Sequence, residues 1–154
     1  MKKITLTKKK FAIVDDNDFE SINKYKWCFS GRNYAIRRVG NSRKNTKIIL
    51  MHRQIMSVPK GMITDHINGN GLDNRRINLR ICTNIQNLQN QSLRSDNTSG
   101  YKGVCWDKKR NAFMSYINIS GVRKYLGRFK SIIDAKNAYN STASEYFGEY
   151  AKLN

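Results

Sequence analysis

Acidic side chains are scarce in this chain. Its 154 residues hold 11 Asp and Glu against 29 Lys and Arg, a formal charge of +18. That shortage favours a polyanionic partner, because each neutralised phosphate releases condensed counterions. Membrane surfaces are anionic too, so charge alone does not choose between them. No long apolar run is present to span a membrane, and Met1-Lys2-Lys3 opens without the apolar stretch of a signal peptide. Cysteine is sparse as well. Cys28, Cys82 and Cys105 are odd in number and unpaired in spacing, which excludes a CxxC zinc knuckle and a disulfide framework. A reducing cytoplasm, of a bacterium or a phage-infected host cell, is the expected compartment. Hydrophobic residues make up 39% of the chain, so small packed modules are expected rather than one large core.

What charge there is falls unevenly. Residues 1–60 carry 15 basic and 4 acidic side chains, residues 61–99 carry 4 and 3, and residues 100–154 carry 10 and 4. Two basic segments thus flank a nearly neutral one, as in a protein that grips a polyanion on both sides of a working site. Residues 1–50 read as short strands, with a turn of helix capped by Asp15, Asp16 or Asp18; Arg43 and Lys44 sit in a polar connection. Residues 51–58 read as a helix closed by Pro59-Lys60-Gly61.

The most informative stretch is Asp65-His66-Ile67-Asn68-Gly69-Asn70-Gly71-Leu72-Asp73-Asn74-Arg75-Arg76-Ile77-Asn78-Leu79-Arg80, with Asn84 to Asn90 behind it. Asn78 follows His66 by twelve residues and Asn87 follows it by twenty-one. Residues 63–67 and 79–82 read as strands about a Gly/Asn loop, and Thr83-Asn84-Ile85-Gln86 as a capping box opening a helix. The segment resembles the HNH nuclease motif, in the variant whose last position is Asn rather than His. The resemblance implies a ββα-metal module that hydrolyses a phosphodiester bond.

Such cleavage needs an attacking water and stabilisation of charge on the phosphate and on the leaving 3′ oxygen. A divalent ion can serve the second need. Magnesium prefers oxygen ligands and few protein contacts, a demand that Asp65 and the carboxamide oxygen of Asn87 meet; manganese would serve as well. His66 is the expected general base, since imidazole titrates near neutrality. Strand alternation places Asp65 and His66 on opposite faces, and the family resolves this by distorting the strand end. The resemblance assigns Asn78 to holding the loop and orienting His66. Asn68, Asn70 and Asn74 read as turn residues, and His52 as packing or a backbone clamp rather than a catalytic group. Arg75, Arg76 and Arg80 suit phosphate oxygens and, equally, a solvated face.

Residues 90–100 are polar and turn-rich and read as an extended linker. Beyond them, strands over 103–106, 113–119 and 123–129 precede a helix N-capped by Ser131, with Ala135, Ala138, Tyr139, Thr142, Ala143 and Tyr146 on one face. The segments Tyr101-Lys102-Gly103-Val104, Tyr125-Leu126-Gly127-Arg128-Phe129 and Ala151-Lys152-Leu153-Asn154 resemble the DNA-binding domain of plant Apetala and ethylene-response factors. That family lays a three-stranded sheet into the major groove. The resemblance implies DNA contacts from Lys102, Tyr116, Asn118, Arg123 and Tyr125, while Cys105 and Asp107 depart from it.

The expected fold is α+β: a small N-terminal β-rich basic module (residues 1–50), the HNH ββα-metal module (51–92), a linker (93–100) and a three-stranded antiparallel sheet packed on one helix (101–154). The expected function is a site-directed endonuclease of the HNH homing type, acting as a monomer on double-stranded DNA with one divalent ion, away from membranes. One active site per chain suggests a single-strand nick. The alternative is a DNA-binding regulator with a vestigial nuclease module.

Overall fold

A computed structural model describes every residue except Asn41, Arg43 and Lys44. The connection expected to carry Arg43 and Lys44 therefore lies outside the described residues. The chain is mixed α and β, with small sheets and, among the described residues, four α-helices. None of these helices is long and apolar enough to cross a membrane. The chain divides into two compact units, Met1–Asn84 and Ile85–Asn154.

The first unit opens with strands β1 (Lys2–Thr5) and β2 (Phe11–Val14), paired antiparallel from Lys2↔Val14 to Thr5↔Phe11. Alternation turns Ile4 and Leu6 inward with Ala12 and Val14, while Lys3 and Thr5 face solvent. Helix α1 (Asp16–Asn23) adds Ile22 to that face, and the Trp27 indole donates to the Ile22 carbonyl at 2.9 Å. A three-stranded antiparallel sheet follows in the order β3 (Cys28–Phe29), β4 (Ala35–Val39), β5 (Lys47–Leu50). Helix α2 (Met51–Met56) buries Met51, His52 and Ile55. It stops two residues short of the predicted Val58. Ser57 turns left-handed at φ 48°, and Val58 precedes a proline, where helical backbone is disfavoured.

Strands β6 (Ile63–His66) and β7 (Leu79–Cys82) complete this unit, paired from Ile63↔Cys82 to His66↔Leu79. Ile4, Val14, Ile22, Trp27, Ala35, Met51 and Leu79 are buried in one cluster. Residues 1–50 and the motif-bearing segment, expected as separate modules, thus share a core. Each segment is too short to close an apolar core of its own.

Helix α3 (Asn84–Gln89) begins at the boundary of the second unit. Strands β8 (Val104–Asp107), β9 (Ala112–Ile119) and β10 (Val122–Phe129) form an antiparallel sheet with β9 in the middle. Helix α4 (Ile132–Phe147) packs Tyr139, Ala143 and Phe147 on Ile117 of that sheet. Ser131 caps α4 by accepting from the Ile133 N–H at 3.2 Å. Gly103 is required where it stands: its φ is 69°, and a Cβ would lie 2.3 Å from both the Tyr116 carbonyl and the Tyr139 ring. The stretch read as an extended linker is tied down at its far end. Asn97 Oδ1 accepts from the Gly100 N–H at 2.7 Å, and Ser99 Oγ donates to the Val104 carbonyl at 2.7 Å.

Candidate active site

The site grows from the loop between β6 and β7. Asn68 Oδ1 accepts from the Asn70 N–H at 2.8 Å and Asn70 Oδ1 from the Leu72 N–H at 3.1 Å, two successive side-chain-closed turns. Asn78 binds the two ends of the loop together. Its Oδ1 accepts from the Asn68 N–H at 2.9 Å and its Nδ2 donates to the Asp73 carbonyl at 2.8 Å. Strand β2 holds the loop from outside: the Ile13 N–H donates to the Leu72 carbonyl and the Asn74 N–H to the Ile13 carbonyl, each at 2.8 Å.

His66 ends β6 with its ring buried. Asn74, fully buried, places Oδ1 3.4 Å from His66 Nε2. Of the loop asparagines, Asn68 and Asn70 make turns, whereas Asn74 faces the imidazole. His52 packs edge-on to His66 with ring centroids 4.8 Å apart, and Tyr34 lies 5.3 Å from His52 and 5.8 Å from His66. Sequence reasoning missed Tyr34 and Asn74 here and read His52 as packing or a backbone clamp rather than as part of the site. Nothing local marks these residues, because the fold brings them from three separate segments.

Gly71 makes room for this cluster. A Cβ there would lie 2.3 Å from the Asn33 carbonyl oxygen and 2.7 Å from the Tyr34 ring. Gly71→Ala is therefore expected to displace Tyr34 from the histidine pair and to lower any activity of this site by at least tenfold, read as a single-turnover rate. An unchanged rate would show that the Tyr34 contact does not matter to the site.

Burial pulls the His66 pKa below its ordinary 6.5, against smaller upward pulls from the Asn74 contact and from the charges of Asp65 and Asp73. Burial also pushes His52 down to about 3, helped by the His66 and Arg53 charges. Both rings are thus neutral at pH 7. The consequence for stability has a definite sign. The unfolded chain takes up protons near pH 6.5 that the folded chain refuses, so stability is full above that pH and falls as pH drops from 6.5 toward 3. Every tenfold difference in proton affinity between the two states is worth about 1.4 kcal/mol. His52→Gln is expected to flatten the acid side of a plot of Tm against pH; an unaltered slope would remove His52 as the cause.

Asp65 pairs across the hairpin with Arg80, whose Nε and Nη2 donate to Oδ2 at 3.0 and 2.8 Å. Both side chains are buried, 8% and 11% exposed. The strand pairing stays in register through His66↔Leu79. Arg75 and Arg76, expected to meet phosphate, are forked onto internal carboxylates. Arg75 holds Asp73 at 2.7 and 2.6 Å, and Arg76 holds Asp18 at 2.8 and 2.7 Å. Asn87 is a half-buried residue of α3 and belongs to the other unit. Asp65, His66 and Asn78 thus lie on one hairpin of the first unit, with Asp65 turned to Arg80, His66 to Asn74 and His52, and Asn78 closing the loop. The pairing shows no distortion of the strand end of the kind expected to turn Asp65 and His66 to one side.

Among the described residues, no three His, Cys, Asp or Glu side chains converge on a metal position. A hard divalent ion that keeps waters and substrate oxygens needs no such cluster. The Asp65 carboxylate is an oxygen donor that fits such an ion, with Arg80 as the present occupant of Oδ2.

In the second unit, Tyr116, Asn118, Arg123 and Tyr125 share one face of the sheet through the pairs Arg123↔Asn118 and Tyr125↔Tyr116. The Arg123 guanidinium lies 3.5 Å from the Tyr116 ring centroid. Ser115 and Ile117, on the opposite face, are buried. Lys102 has a different place: its ammonium donates to the Gln89 and Gln91 carbonyls at 3.1 and 2.8 Å.

Residues 57–89, which hold β6, the loop, β7 and α3, match the family model described as HNH endonuclease, so the chain carries a domain of that family. Among proteins similar to it, Protein 3.8 of Escherichia phage T7 is 30% identical over 96 residues, 62% of this chain and 78% of the phage protein. An uncharacterized HNH endonuclease of Acanthamoeba polyphaga mimivirus is 27% identical over 150 residues, 94% of this chain and 74% of the viral protein. No solved structure matches the chain.

Proposed function

We propose that the protein is a site-directed DNA endonuclease of the HNH homing type that nicks one strand of double-stranded DNA, as a monomer, with one magnesium or manganese ion. The observation that carries this reading is the His66 imidazole at the end of β6, kept neutral by burial, with Asn74 on its Nε2 and the Asp65 charge nearby. A neutral imidazole can take a proton from the attacking water. With the Asn74 oxygen accepting, Nε2 keeps its hydrogen and the lone pair falls on Nδ1. Asp65 and Asn87 would hold the metal ion, which supplies charge stabilisation on the phosphate and on the leaving 3′ oxygen. Asn78 keeps the loop in shape around His66.

Residues 101–154 are, in this reading, a groove-reading domain of the Apetala/ethylene-response-factor type. Tyr116, Asn118, Arg123 and Tyr125 offer one mixed aromatic and basic face, and base-edge contacts from such a face would select the site. Arg75 and Arg76 keep part of their side-chain surface exposed, so phosphate contacts from them are retained in this reading. Lys102 and Arg80 would support the fold around the contacts they already make. Purified protein, supercoiled plasmid and Mg²⁺ test the proposal. Open circles are the expected product. Linear DNA at the first turnover would replace the nick by a double-strand break, and binding without cutting would favour the regulator reading.

A further inference from the structure

The β1–β2 hairpin turns through Thr7-Lys8-Lys9-Lys10. The Leu6 N–H donates to the Lys10 carbonyl at 2.8 Å and the Lys10 N–H to the Thr7 carbonyl at 3.4 Å. Lys8 and Lys9 both take left-handed backbone, φ 61° and 53°. Two consecutive left-handed residues at a hairpin tip are ordinarily Asn-Gly or Gly-rich, since a Cβ is strained in that region. The β9–β10 hairpin of the same chain follows that habit, with Ser120 at φ 50° and Gly121 at φ 83°. The Lys-Lys tip does not.

The turn is tied to the body of the unit at Thr7, whose Oγ1 accepts from the Phe29 N–H at 3.0 Å; the two strained lysines are not part of that tie. Lys8, Lys9 and Lys10 are exposed, and among the described residues none forms an ion pair. Residues 1–14 contain no Asp or Glu. By contrast, Lys2 and Lys3 lie over the Phe19 and Phe11 rings at 4.5 and 4.3 Å. Strained backbone at two exposed lysines that meet no acidic partner among the described residues marks a position suited to contact with something else. The hairpin is also joined to the active-site loop, through the two hydrogen bonds of Ile13 to Leu72 and Asn74. Ile13 lies four residues beyond Lys9, a reach of about 14 Å along extended chain, or on the order of four base pairs of duplex.

We propose that the Thr7–Lys10 turn is a phosphate clamp on the DNA backbone, gripping the duplex to one side of the cut. The proposal rests on the nuclease reading above and adds to it a second grip carried by the same unit as His66. Neutralising two phosphates at about 0.9 log units of salt slope each makes the turn a measurable part of affinity.

Two variants test it, by gel shift on duplex DNA across a salt series and by thermal melting. Lys8→Asn/Lys9→Gly suits the turn better, so Tm is expected to rise by a few degrees while affinity near 0.1 M salt falls about 10- to 60-fold and the salt slope falls by about 1.8. Lys8→Gln/Lys9→Gln removes the charges but keeps the strained backbone. It should lose the same affinity and melt below the Asn-Gly variant. If both variants bind like wild type with its salt slope, the clamp is refuted while wild-type cutting still upholds the nuclease reading. If the two variants melt together, the strain argument fails. Wild type that neither binds nor cuts duplex would overturn the nuclease reading, and the clamp with it.

Discussion

His66→Ala is expected to lower the nicking rate by about 10²- to 10⁴-fold, the usual worth of a positioned general base, while duplex affinity stays within about threefold of wild type. The imidazole is buried among Asn74, His52 and Tyr34. Its loss therefore removes proton transfer without touching the exposed lysines and arginines that supply phosphate contacts. The substitution also leaves a space beside His52, so the fold should be checked by melting before rates are compared. Single-turnover rates and gel shifts on the same preparation separate the two effects. Equal loss of binding and cutting would reject the general-base role.

Asp65→Ala should do more, because it acts on the fold and on the chemistry together. Arg80 is 11% exposed and directs two N–H groups at the Asp65 carboxylate. Removing one partner of a buried pair strands the other charge, a loss of about 3–5 kcal/mol. Replacing both with apolar residues avoids that stranded charge. Asp65→Ala/Arg80→Leu is therefore expected to recover most of the lost Tm and none of the activity. Asp65→Asn keeps the shape of the site and should raise the Mg²⁺ concentration needed for half-maximal rate, as should Asn87→Ala. Two variants with the wild-type metal dependence would place the ligands elsewhere. A double variant that regained activity along with stability would make Asp65 a structural residue only.

The hairpin bearing the site was legible in the sequence because its signals are local. β-branched and apolar residues mark β6 and β7, and the Gly/Asn loop between them closes its own turns through Asn68 and Asn70. The C-terminal strands and helix were legible for the same reason, from alternation in β9 and a helical Ala/Tyr face in α4. What depends on distant pairing was not. The core that joins Ile4 and Trp27 to Met51 and Leu79 crosses the boundary drawn at residue 50. The carboxylate partners of Arg76 and Arg80 lie 58 and 15 residues away in sequence, so two arginines that looked available for phosphate are held by distant acids. Asn74 looked like another turn residue; burial and the docking of β2 on the loop turn it onto His66.

The central claim is metal-assisted hydrolysis at the phosphodiester, with the 3′ oxygen leaving. The chemistry of the ends tests it most directly. Protein freed of metal with EDTA and resupplied with Mg²⁺ should convert supercoiled plasmid to open circles that DNA ligase reseals, because cleavage at that bond leaves a 3′-hydroxyl beside a 5′-phosphate. Nicks that form equally well without metal, or that ligase cannot close, would contradict the account.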